Sequence, residues 1–178
     1  MAQAKRKQKF FDVEMPILNK ETQLYAFGLE DLAGRFIKYD LTRLLRGKSM
    51  VLKLKVKTDG KKAIAEPIEA LVLPYFIRRM MRKGTNYVED SFSASCKDAV
   101  LEIKPFMITR KKVSRAVRNA LRLKSREELT SYVKNKDAKT LFEDLLKNNI
   151  QKHLSLVLKK IYPLSMCEIR IFRIVREL

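Results

Sequence analysis

The chain has 178 residues, 46% of them apolar, and its 39 Lys and Arg against 20 Asp and Glu leave a formal charge of +19. That length and apolar content exclude a disordered polycation and allow one or two small domains with a real core. The charge opposes folding by self-repulsion unless a polyanion neutralises it, so nucleic acid or an anionic membrane surface is the indicated partner.

No apolar run approaches the roughly 20 residues that span a bilayer. The basic start, Met1–Lys9, is not followed by the apolar stretch of a signal peptide. The plain reading is a soluble cytoplasmic protein with no membrane partner. Cys96 and Cys167 stand far apart and His153 is the single histidine. A zinc site would need to recruit carboxylates as well, so no metal is expected, and the thiols read as small buried apolar residues in a reducing compartment.

In chain order, residues 1–9 carry Lys5, Arg6, Lys7 and Lys9 with no acid, which reads as a flexible basic arm. Phe10 and Phe11 end it and are expected to anchor the fold in its core. From Phe10 to about Val72 the pattern is that of strands. Phe11–Met15 and Gln23–Phe27 are punctuated by Pro16 and Asn19-Lys20. A third strand is expected over Leu32–Tyr39, with Gly34 allowing a bulge or close packing. Asp40–Gly47 reads as a short helical turn. Val51–Lys57 alternates, Leu52, Leu54 and Val56 facing a core and Lys53, Lys55 and Lys57 facing out. Those lysines suit both protection of a sheet edge and contact with phosphate. Asp59-Gly60 signals a hairpin returning through Ala63–Leu73.

Leu73-Pro74 opens a helix that Gly84 closes. It carries Arg78, Arg79, Arg82 and Lys83 on its surface, with Met80 and Met81 expected to fill core. Asn86–Cys96 and Ala99–Ile108 are expected strands joined near Lys97-Asp98, and Pro105 marks an edge position or a bulge.

The stretch Arg110–Lys124 has the strongest pattern in the chain. Val113, Val117, Ala120 and Leu121 recur at helical spacing and form an apolar stripe. Arg115, Arg118 and Arg122 step along another face, and Arg110, Lys111 and Lys112 crowd its start. There is no acid in these fifteen residues. A helix charged only for solubility mixes signs, so this face reads as phosphate-binding.

Ser125-Arg126-Glu127-Glu128 has the form of a capping box and predicts a new helix carrying Leu129, Tyr132 and Val133. Amphipathic segments follow over Leu141–Leu146 and Ile150–Ile161. The Asn148-Asn149 pair suits a break between two helices, while the apolar stripe also fits one helix over 138–161. Met166–Val175 closes the chain as a strand, with Cys167, Ile169 and Ile171 expected on one face. A terminal strand so apolar must pair with the earlier sheet. The expectation is therefore one α+β unit over 10–178.

The chemistry of an enzyme leaves no trace. His153 sits in an amphipathic helix, no Gly-x-Ser-x-Gly elbow surrounds any serine, no Gly-rich phosphate loop exists, and Glu89-Asp90 point apart in an extended segment. No catalytic residue, cofactor or small-molecule substrate is indicated. Zinc-finger spacing and the aromatic motif of the common RNA-recognition sheet are missing too. Binding through phosphates and shape suits folded RNA. The candidate RNA-binding residues are Lys5, Arg6, Lys7, Lys9, Arg78, Arg79, Arg82, Lys83, Arg110, Lys111, Lys112, Arg115, Arg118 and Arg122.

Four stretches together resemble one family. They are Phe10-Phe-Asp-Val-Glu-Met-Pro-Ile-Leu18, Tyr75-Phe-Ile-Arg-Arg-Met-Met-Arg-Lys83, Lys104-Pro-Phe-Met-Ile-Thr-Arg110, and Ile161-Tyr-Pro-Leu164 followed by Glu168-Ile-Arg170. They are similar to the archaeal and eukaryotic three-A family of small-subunit ribosomal proteins (S-three-a-e), over roughly residues 8–176. Phe10 stands where that family typically has Trp, and Lys97-Asp98-Ala99 replaces its Asp-Gly hairpin. The long charged tail of eukaryotic members is missing, so the resemblance is to archaeal members.

The resemblance implies a curved or barrel-like, mostly antiparallel sheet with flanking helices. It also implies a non-catalytic part of the small ribosomal subunit, on the platform near the messenger exit and the 3′ end of the small-subunit RNA. Its partners there would be ribosomal RNA and neighbouring small-subunit proteins. The alternative from the residues alone is a free-standing RNA-binding or RNA-chaperone protein.

Overall fold

The computed structural model describes residues 7–45, 47–60 and 62–177. Lys5 and Arg6, and most of the expected basic arm with them, lie outside the described residues. The chain is α+β. The elements in order are β1 (Lys9–Met15), β2 (Lys20–Ala26), β3 (Phe36–Asp40), β4 (Met50–Thr58), β5 (Ala63–Val72), α1 (Pro74–Met80), β6 (Tyr87–Glu89), β7 (Phe92–Ser95), β8 (Ala99–Thr109), α2 (Arg115–Lys134), α3 (Ala138–Leu146), α4 (Asn149–Leu158) and β9 (Leu164–Glu177). The described strands hydrogen-bond in the order β2-β1-β5-β9-β8-β6, with β3 and β4 branching from β5 and β7 pairing with β8. This order does not close on itself, so the sheet is open and not a barrel. The pairs β1–β2, β5–β9, β6–β8, β7–β8 and β8–β9 are antiparallel, and β1 makes a short parallel match with β5. By internal contacts the chain gathers into two compact units, residues up to Tyr39 with Leu52–Ile68, and Asp40–Val51 with Glu69 onward.

In the first unit, β1 and β2 form a hairpin whose turn contains Pro16 and the left-handed Asn19 (φ 50°). The period of two puts Val13 and Met15 in the core. Phe10 falls on the other face. It is 68% exposed and its ring meets that of Tyr25, 4.9 Å away. It is therefore not the core anchor expected of it. Lys9 begins β1, opposite Ala26, and does not belong to a free arm.

The third strand starts at Phe36, four residues later than expected. Glu30–Leu32 is a turn of 3₁₀ helix, and Gly34 takes φ +79°, which a side chain would resist, so that its N–H reaches the Val56 carbonyl at 2.9 Å. In β4, Leu52, Leu54 and Val56 are buried as the alternation requires. Lys57 pairs with Glu66 at 2.7 Å and the Lys53 ammonium lies 4.4 Å over the Phe36 ring.

The second unit is built on β8 and β9. β8 has 11 residues and β9 has 14. The register shifts between Val100 and Leu101, Lys104 and Pro105, and Ile108 and Thr109 leave Val175, Arg170 and Ser165 without partners. Three bulges thus absorb the extra residues. The bulge at Arg170 shifts the alternation after Ile169, so the next buried residue of β9 is Phe172 and not Ile171, which is only half-buried. The expected Cys167/Ile169/Ile171 face is corrected on that point. Pro105 sits at the bulge, between Phe106, paired with Glu89, and Ile103, paired with Phe92. A residue with no N–H is tolerated where the ladder is already interrupted.

The helices depart from expectation at Ser125 and at the end of α1. α2 runs unbroken from Arg115 to Lys134. Ser125 is fully buried, and its hydroxyl donates back to the Arg122 carbonyl at 2.9 Å instead of capping a new helix. The true cap is Ser114, whose hydroxyl accepts from the Val117 N–H. The buried stripe is Leu121, Ser125, Leu129 and Val133, and Ala120 lies outside it. α3 and α4 are two helices, parted at Asn148 with φ 59°. Met80 and Met81 are exposed, because α1 ends at Met80 and buries only Phe76 and Ile77.

A polar cluster ties α2, α3 and α4 together. Asp144 accepts from Lys136 (2.6 Å), Tyr132 (2.9 Å) and Asn149 (3.0 Å). Burial pushes the Asp144 carboxyl up, but these three donors outweigh it and hold it below its usual 3.8. A lowered folded value means that the contribution is full above the unfolded value and lost as pH falls through the folded one. Asp144→Asn should therefore lower the melting temperature at neutral pH and flatten the acid limb below about pH 4. A pH series of thermal melts tests this, and an acid limb unchanged from wild type would contradict it.

Candidate nucleic-acid interface

The cationic face begins at the loop between β8 and α2. Arg110, Lys111 and Lys112 are all exposed on it. Two polar residues hold the loop in place. Thr109 is fully buried, and its hydroxyl accepts from the Asn86 N–H at 3.0 Å and faces the carbonyls of Asn86 (3.0 Å) and Lys111 (2.8 Å). The Asn86 side-chain oxygen accepts from the Val113 N–H at 2.8 Å. The chain is thus tied down on both sides of the basic triplet just before Ser114 caps α2.

α2 packs on β6, β7 and α4. Helical spacing then carries Arg115, Arg118 and Arg122 along the side of the helix next to β6. Together with Asn119, Tyr87, Val88 and Glu89 they line a cleft of about 280 Å³. The arginine row predicted from sequence is therefore gathered at one site.

The neighbouring acids are already engaged elsewhere. Glu89 is paired with Arg170. Asp90 receives both Nε (3.0 Å) and Nη2 (2.9 Å) of Arg126. Glu127 and Glu128 pair with Lys124 at 3.3 and 3.1 Å. Among the described residues no acid pairs with Arg115, Arg118 or Arg122. Arg122 donates to the Asn119 side-chain oxygen at 2.9 Å, and Arg118 Nε is buried with no hydrogen-bond partner. A buried donor left open in this way costs free energy until an acceptor reaches it.

Tyr87 belongs to this cleft and was not among the residues singled out from sequence. The residue is 56% exposed, and its ring stacks on the buried Phe106 at 5.9 Å and 19°. The available signal was its place in Tyr87-Val88-Glu89: with Val88 inward, the aromatic must face out beside a basic helix.

The other cations are dispersed. Arg78, Arg79, Arg82 and Lys83 are exposed, and none lines the α2 cleft. Arg79 is partly occupied, 5.4 Å over the Phe76 ring and 3.4 Å from the Gly47 carbonyl. Lys7 and Lys9 are exposed in and before β1. His153 is half-exposed, 3.8 Å from Glu128 and against the Tyr132 ring, as an ordinary helix residue would be. Among the described residues no group of three or more His, Cys, Asp or Glu is placed to hold a metal, and no helix is long and apolar enough to cross a membrane. Burial, together with the Glu168 carboxylate, pushes the Cys167 thiol up to about 12, which keeps it protonated and unreactive at neutral pH.

An open α+β sheet carrying one helix with an uncompensated arginine row defines a class, the basic α+β proteins with a fixed cationic surface. The chain belongs to the Ribosomal S3Ae family, whose sequence profile matches residues 3–177. It is similar to the small ribosomal subunit protein eS1 of Pyrobaculum aerophilum, 26% identical over 140 residues, and of Methanothermobacter thermautotrophicus, 28% identical over 130. These matches take in 78% and 71% of this chain, and 63% and 67% of the relatives' own lengths. The corresponding protein of Nanoarchaeum equitans is 23% identical over 176 residues, 94% of this chain and 88% of that one.

The Thr109 latch can be tested without RNA. Thr109→Val keeps the shape but leaves the Asn86 N–H without its acceptor, and should cost about 1–3 kcal/mol. Urea denaturation measures this, and an unchanged midpoint would show that the latch does not hold the loop.

Proposed function

We propose that this protein is a non-catalytic constituent of the small ribosomal subunit and binds ribosomal RNA through the arginine row of α2 and the basic loop before it. The observation that carries the reading is that Arg115, Arg118 and Arg122 line one cleft and have no acid partner among the described residues. Guanidinium groups left unpaired on a fixed helix suit phosphate oxygens, which accept charge-assisted hydrogen bonds in the fork geometry arginine offers. Membership of the family, and relatives named as small-subunit proteins, support the ribosome as the setting. Arg110, Lys111, Lys112, Arg78, Arg79, Arg82 and Lys83 extend the basic surface. Neighbouring small-subunit proteins are the other partners, and the cytoplasmic ribosome is the location. A position on the platform, near the messenger exit and the 3′ end of the small-subunit RNA, rests on the sequence resemblance.

Affinity for RNA falls with salt, with a slope of about 0.7–0.9 per phosphate neutralised. Replacing Arg115, Arg118 and Arg122 together by Gln should make that slope shallower by roughly two to three units. Gln keeps good helix propensity, so the melting temperature should hold. An unchanged slope with unchanged stability would remove α2 from the interface and shift it to Arg78, Arg79, Arg82 and Lys83. In gently lysed cells the protein should co-sediment with the small subunit at moderate salt and leave it at high salt. Recovery in ribosome-free fractions at both would favour a free-standing RNA-binding protein.

A further inference from the structure

The cleft beside α2 holds more than cations. A surface that only neutralises phosphate needs spaced positive charge and no aromatic group. Here Tyr87 is part of the lining and 56% exposed. Its ring is steadied by stacking on Phe106, itself buried, at 5.9 Å. An aromatic held on one side and open on the rest is a platform for a second flat group.

Beside it Arg118 Nε is a buried donor with no partner. Asn119 uses its side-chain oxygen to accept from Arg122, which leaves its amide N–H groups available. Glu89, the acid of the cleft, is held by Arg170, so it does not discharge the arginines. The combination is a flat apolar face, amide donors and three guanidinium groups around one volume of about 280 Å³. Paired bases are stacked and hidden inside their helix, whereas an unpaired nucleotide offers a base face, a base edge and a phosphate at once.

We infer that the cleft between α2 and β6 takes one unpaired RNA nucleotide, its base stacked on Tyr87 and its phosphate on Arg115, Arg118 and Arg122. This rests on the RNA-binding reading above and adds the kind of RNA feature that is bound. Arg118 Nε then finds its acceptor, and the Asn119 amide donates to the base edge or the sugar-phosphate.

The test uses the purified full chain and three short hairpin RNAs of one sequence. The first carries a single bulged adenosine, the second an abasic bulge, and the third is fully paired. Binding is followed by fluorescence anisotropy at fixed salt. The bulged adenosine should bind tighter than the abasic bulge by roughly 5- to 150-fold, the range measured for stacking one base on an aromatic side chain. Tyr87→Leu should abolish that preference and leave the salt slope unchanged, and Tyr87→Phe should retain it. The hairpin comparison in wild type needs no variant, so an unstable Tyr87→Leu would not spoil the test.

Equal affinity of the wild type for all three RNAs, with a salt slope still lowered by the triple Gln variant, would overturn the nucleotide inference and leave phosphate binding standing. Equal affinity together with an unchanged slope in the triple variant would overturn both. An acidic peptide that displaces none of the RNAs, yet quenches tyrosine fluorescence in the wild type and not in Tyr87→Leu, would assign the cleft to a protein partner and overturn the inference.

Discussion

The long antiparallel pair of β8 and β9 is the constraint on which the second unit depends. Its register fixes everything attached to it. β6 and β7 pair with β8, and α2 lies on them; α4 lies on β9. Because β9 carries three more residues than β8, the pair bulges at Ser165, Arg170 and Val175. The bulge at Arg170 is where structure and site meet. It releases Arg170 from the ladder alternation, and its guanidinium reaches Glu89 on β6. That pairing steadies a strand only three residues long and removes the carboxylate most able to neutralise the α2 arginines. Surface ion pairs of this kind add little stability. Here the consequence is electrostatic: the acid is occupied and the cleft remains cationic.

The same principle runs through the surroundings of α2. Asp90, Glu127 and Glu128 each pair with Arg126 or Lys124, residues on the side or the later turns of the helix. Twenty acids cannot neutralise thirty-nine bases. The arrangement of ion pairs therefore decides where the surplus appears. Part of it is concentrated at the loop Arg110–Lys112 and on the first two turns of α2, held by the Thr109–Asn86 latch.

Much of this was legible along the chain. The alternation of β4 was read residue by residue, since each of its side chains follows a local period of two. The arginine row was legible for the same reason, a local period of 3.6 in a stretch without acids. The break between α3 and α4 was signalled by Asn148, which tolerates the left-handed conformation. What escaped depended on partners distant in sequence. The buried face of β9 follows from bulges that exist only against β8. Ser125 has the sequence of a cap, but its burial turned the hydroxyl back onto its own helix. Met80 and Met81 looked like core because the helix was expected to reach Gly84, and it stops at Met80. Phe10 looked like core because an aromatic pair was read without assigning its two faces. Tyr87 drew no attention because nothing local sets it apart from any other strand residue; the three arginines that give it meaning are 28 or more positions away.

The central claim, that the α2 cleft faces RNA, is tested most directly by arginine-selective chemical labelling of the protein free and bound to small-subunit RNA, read by mass spectrometry. Arg115, Arg118 and Arg122 should lose reactivity on binding, while Arg43, distant from α2 in sequence and lining no part of the cleft, should keep it. Full reactivity at the three cleft arginines in the complex, with protection at Arg78, Arg79 and Arg82 instead, would contradict the account.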